Sequence, residues 1–119
     1  MQSLPKLSNT DLQPWFNKEE LIRDCVAQIQ KDLSAYAIDI TFSGNIHSAY
    51  QELFDQLQPK IDRMLQTNTS ISDILYKVDV DEKKLKEVAL SEEAFSHSLT
   101  RLIIWRELQK VVTRFLLRD

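Results

Sequence analysis

Apolar residues recur with a helical period in three long stretches of this chain. In the first, Leu21, Ile22, Cys25, Val26, Ile29 and Leu33 fall on one side and predict a helix over residues 18–34. Asn17 stands where an N-cap belongs, with Glu20 three residues on as in a capping box. Phe16, ahead of it, is placed to staple onto Leu21. In the second stretch Ile46, Tyr50, Leu53, Phe54, Leu57, Ile61, Met64 and Leu65 share a face. The phase carries across Pro59, which predicts one kinked helix rather than two. The third stretch, residues 95–117, behaves differently because its apolar stripe changes face. Phe95, Leu99 and Leu102 lie on one side, and Ile104, Leu108, Val111, Val112, Phe115 and Leu116 on another. A helix that buries two faces has two sets of neighbours.

Shorter elements fill the gaps. Ile38, Ile40 and Phe42 alternate with Asp39 and Thr41 at the period of a strand, yet no second strand is evident. Residues 38–42 are therefore either an extended segment laid over the helices or a strand that pairs with its copy in a dimer. Residues 66–70 form a polar turn, after which Ser70 or Ser72 caps a short helix carrying Ile74, Leu75 and Val78. Asp81 caps another through Leu85 and Val88. Ser91, with Glu92 and Glu93 behind it, starts the final helix. Residues 1–14 are polar, carry two prolines and read as a flexible arm ahead of a single helical domain over 15–119. The expected fold is all-α, an irregular bundle of three main helices and one or two short ones, with a lone extended segment near 38–42. A single glycine, Gly44, argues against an all-β alternative, and 119 residues suit one domain.

Charge sharpens the picture at one end. The net charge is −3, but residues 1–100 hold ten Lys or Arg against sixteen acidic residues, while 101–119 hold five against two. A basic end on an acidic body suits self-complementarity or an acidic partner, and equally suits cations near the negative end of a helix dipole.

The residues that could carry chemistry are few. One glycine excludes a phosphate-cradling loop, a dinucleotide fingerprint and a nucleophile elbow. Cys25, His47 and His97 lie far apart, so neither a metal nor a cofactor is expected, and Cys25 reads as a core thiol. His47 and His97 read as surface or boundary histidines. Asp79, Asp81 and Glu82 are followed by Lys83 and Lys84, which occupy positions a calcium loop needs for ligands or glycine. No pair of groups has a catalytic spacing, so an enzyme is not expected. No apolar run reaches the length of a membrane span, and the start lacks a secretory pattern, which predicts a soluble, cytoplasmic, reduced protein.

The last helix is thus where function is expected. Ile104, Leu108, Val111, Phe115 and Leu116, flanked by Trp105 and Arg106, predict a non-enzymatic protein-interaction module, either a homodimer or a subunit of a larger assembly, whose partner is another copy or a different protein. The alternative is a nucleic-acid accessory factor using Arg106, Lys110, Arg114 and Arg118, which recur every fourth residue with Glu107 interrupting them. Trp105, Trp15 and Phe16 read either as core aromatics or as interface anchors.

Four patches suggest kinship: Asp39-Ile40-Thr41-Phe42-Ser43, Tyr50-Gln51-Glu52-Leu53-Phe54, Leu75-Tyr76-Lys77-Val78-Asp79-Val80 with Glu82-Lys83, and Arg106-Glu107-Leu108-Gln109-Lys110. Through them the chain resembles a group of short, uncharacterised bacterial proteins. The resemblance implies a small cytoplasmic helical protein and carries no site or activity.

Overall fold

Among the described residues five α-helices carry the fold: α1 Glu19–Asp32, α2 Ala49–Gln66, α3 Ile71–Val78, α4 Glu82–Ala89 and α5 Phe95–Leu116. The structure is a computed structural model and describes residues 13–67, 70–89 and 94–118. Short 3₁₀ turns cover Gln13–Asn17, Ser34–Tyr36 and Ile46–Ser48, and no strand occurs among the described residues. The fold is all-α, and its described helices are three long and two short.

The helix ends follow local chemistry in some places and not in others. Ser70 caps α3, its side chain accepting from the Asp73 N–H at 3.3 Å, and Asp81 Oδ1 accepts from the Lys83 N–H at 3.0 Å where α4 begins. Asn17 does not cap α1. It belongs to the 3₁₀ turn, and Lys18 takes the cap position with no side-chain bond. The cause is Phe16, whose ring is buried edge-on against Tyr50 and Trp105 and holds the turn closed through Asn17. Helix α2 runs through Pro59 as one helix. Ser91, Glu92 and Glu93 lie outside the described residues, as does most of the expected N-terminal arm.

Helix α5 is the centre of the molecule. It packs against each of the four other helices. Leu99, Ile103, Ile104, Leu108 and Val112 are fully buried, and Val111 nearly so. They meet Ile22, Cys25 and Ile29 of α1 and Leu53, Leu57 and Ile61 of α2 within one core. The change of face along α5 therefore has an intramolecular cause, because different stretches of its surface meet different helices of the same chain. The close contacts carry their polar groups with them: the Gln58 amide of α2 donates to Ser96 Oγ at 3.1 Å, and the Thr100 hydroxyl donates to the Ser96 carbonyl at 2.7 Å.

Residues 38–42 lie extended over the helices, with Ile38 and Ile40 buried. Side chains replace the missing sheet partner. Gln56 of α2 accepts from the Thr41 N–H at 2.8 Å and donates to the Thr41 carbonyl at 2.7 Å, much as a neighbouring strand would. Gln30 accepts from the Ile40 N–H and Glu52 from the Ser43 N–H. Gly44 then turns the chain at φ 97°, a conformation that favours glycine.

Candidate functional site

The residues expected to form an interface divide sharply by position. Ile104, Leu108 and Val111 sit in the chain's own core and have no surface to offer a partner. Trp105 stacks on Tyr50 at 5.5 Å between ring centroids and meets Phe16 edge-on at the same distance, so this tryptophan is held by α2 and the N-terminal turn. Arg106 is anchored too: Nε donates to the Asp79 carbonyl at 2.8 Å and Nη2 to its carboxylate at 2.8 Å, tying α5 to the end of α3. What remains is the end of α5. Phe115 is half-buried and meets Trp15 at 5.6 Å, while Leu116 is 47% exposed and Leu117, just beyond the helix, 60% exposed. Among the described residues the other exposed large apolar side chains are Ile71 and Tyr76 of α3.

The basic stripe is similarly taken apart. Besides Arg106, Lys110 is held between two carboxylates, and Arg118 pairs with Glu20 at 3.2 Å while its guanidinium covers the Phe115 ring at 4.6 Å. Arg114 is exposed on the last turn. Three of the four cations that would contact phosphate are thus already engaged by acidic groups of the same chain.

Sequence reasoning missed the one buried charged side chain among the described residues. Glu107, read as an interruption of the basic stripe, is 0% exposed. Lys110 Nζ lies 2.7 Å from Glu107 Oε1 and 2.6 Å from Asp32 Oδ2 of α1. The Gln28 amide donates to both Asp32 oxygens at 3.0 Å. Glu107 Oε2 is buried and receives no donor. Burial, then the hydrogen-bonded Asp32, push the Glu107 carboxyl up to about 8 against the pull of Lys110. Burial alone would raise Asp32 as well, but hydrogen bonds from Glu107, Lys110 and Gln28 together hold it below the usual range. The available signal was spacing. Ile103, Ile104, Glu107, Leu108, Val111 and Val112 form one stripe at helical period, and Glu107 stands in its middle.

The Cys25 thiol is buried, faces the Ile104 carbonyl at 4.0 Å and is pushed far up by burial and then by nearby Glu107, which makes it a poor nucleophile. His47 and His97 are exposed, and His97 meets Phe54 edge-on. A shallow open recess of about 310 Å³ is lined by Arg23, Val26, Ile40, Thr41 and Phe42. Its one charged group, Arg23, already pairs with Glu19 and lies over the Phe42 ring.

Comparison with known protein families, curated proteins and solved structures gives no match to this chain. Among the described residues no group of three His, Cys, Asp or Glu could hold a metal ion, and no helix is long and apolar enough to cross a membrane. The functional reading therefore rests on the chain's own surfaces.

Proposed function

We propose that this chain is a non-enzymatic interaction module or subunit that self-associates through the end of α5. The observation that carries the reading is the pair of adjacent exposed leucines, Leu116 and Leu117, at the end of a helix whose other apolar residues are buried or half-buried. Beside them the Trp15–Phe115 ring pair supplies a rigid, half-buried base. Arg114 and Arg118 flank the leucines, and the rest of the chain is acidic, so a second copy offers complementary charge. Two leucines are an anchor rather than a whole interface. A stable dimer buries about 800 Å² on each partner, so this contact is weak and concentration-dependent.

Light scattering over a concentration series tests the reading. The mass of the wild-type chain is expected to rise from monomer towards dimer. The double variant Leu116→Ser, Leu117→Ser is expected to stay monomeric with unchanged helical circular dichroism. A wild-type chain that is monomeric at every concentration overturns it.

A further inference from the structure

We infer that Asp32, Glu107 and Lys110 form a pH-sensitive latch between α1 and α5, closed while Glu107 keeps its proton and loosened when that proton leaves. The geometry sets the charge balance. One ammonium lies within hydrogen-bond distance of two carboxyl groups, and among the described residues no other cation pairs with either. From α1 the cluster meets Asp32, the amide of Gln28 and the buried Cys25 thiol. The side chains that α2 buries, from Ala49 to Met64, are all apolar. Those of α3 are Ile74 and Val78, while its Asp73 and Lys77 pair with each other on the surface. The described charged residues of α4 are exposed. Neutrality in this environment requires one carboxyl to hold a proton.

Glu107 is the group that holds it. Its Oε2 is buried and accepts no hydrogen bond, an unfavourable state for a carboxylate oxygen, whereas a carboxyl O–H has the hydrogen-bonded Asp32 carboxylate as its acceptor. Asp32, with both oxygens accepting from Gln28 and one from Lys110, is the better-solvated anion. Ionisation of Glu107 releases its proton to solvent and leaves two anions on one ammonium at the junction of α1 and α5. An ordinary glutamate has a pKa near 4.5, and this one is pushed up to about 8. Between those values the folded chain binds a proton that the unfolded chain has lost. The folded chain therefore keeps this proton, and the latch stays closed, up to about pH 8, while the stability that the latch contributes is fully present below about pH 4.5 and is lost as pH rises towards 8.

The test compares the full chain with Glu107→Gln, which is neutral at every pH and keeps a donor for Asp32. The unfolding constant of the wild type relative to the variant is expected to rise about tenfold per pH unit between pH 5 and 8. Hydrogen exchange of α1 and α5 amides, corrected for the intrinsic rate, is expected to lose protection over the same range in the wild type alone. The carboxyl carbon of Glu107, followed by NMR in the unmodified chain, gives an answer even if the variant does not fold. Its titration near 8 supports the latch. A Glu107 carboxyl already ionised at pH 6, or a difference between the two proteins that does not change with pH, overturns it.

Discussion

The Lys110 ammonium of α5 lies 2.6 Å from Asp32 Oδ2 of α1, seventy-eight residues away in sequence. This pair ties the central helix to the first helix at a place where both side chains are mostly shielded from water. Ion pairs on open surface contribute little, but removing one partner of a shielded pair strands the other. Lys110→Met leaves Asp32 and Glu107 facing each other without a cation. It is expected to destabilise the chain by about 3 kcal/mol in urea denaturation at pH 7, and by less at pH 5, where a second proton can restore neutrality.

The same cluster sets the shape of the stability profile. Asp32 is held below its ordinary 3.8, so its contribution is present above that pH and is lost as pH falls through the depressed value. Glu107 is held above its ordinary 4.5, so its contribution fades from there towards 8. The two together place the cluster's best contribution near pH 4–5. Urea midpoints measured from pH 4 to pH 9 are expected to fall on the alkaline side, at up to about 1.4 kcal/mol per pH unit.

Trp105 reads in sequence either as a core aromatic or as an interface anchor, and its ring neighbours lie within the same chain. Stacked on Tyr50 and edge-on to Phe16, it joins α5 to α2 and to the N-terminal turn. Trp105→Ala is expected to cost about 3 kcal/mol of folding stability while leaving the concentration dependence of the molecular mass in place. Thermal denaturation and light scattering on the same sample check both halves.

Gln56 substitutes for a strand. Its amide meets both backbone groups of Thr41, at 2.8 and 2.7 Å. Gln56→Ala is expected to free residues 38–43, raising their amide exchange, at a cost of about 1 kcal/mol because water can re-solvate the exposed Thr41 backbone. Gln56→Glu keeps only the acceptor half and is expected to lose part of the same protection.

Leucines in and just beyond α5 separate into two kinds. Leu108 is fully buried, whereas Leu116 and Leu117 are about half exposed. Leu108→Ala is expected to cost about 3 kcal/mol by opening a cavity. Leu116→Ser with Leu117→Ser is expected to shift stability by less than about 1 kcal/mol, since little surface returns to water. Urea denaturation of the three proteins measures the contrast.

Much of the local structure was legible in sequence because it depends on neighbours along the chain. The apolar period of residues 21–33 and 46–65 located α1 and α2 to within a few residues, and of the two candidate caps, Ser70 and Ser72, Ser70 is the one that forms. Asn17 failed as a cap because the burial of Phe16 closed the preceding turn, a tertiary effect that no local pattern reports.

The candidate site was only half legible for a related reason. The position at the end of α5 followed from Leu116 and the terminal charges, but the surface is much smaller than the apolar stripe implied. Periodicity says which side of a helix is apolar and cannot say what covers it.

By itself, the sequence determined that the chain is helical, where its long helices lie, and that α5 must bury more than one face. Only the tertiary structure decided that those faces are covered by α1, α2, α3 and α4 of the same chain. Only the tertiary structure brought Asp32 to Glu107 and Lys110, and Gln56 to Thr41. Helical period and capping are set by backbone geometry over a few residues. A buried carboxyl pair and a borrowed hydrogen bond depend on groups that are distant in the chain and share a boundary only once the core has formed.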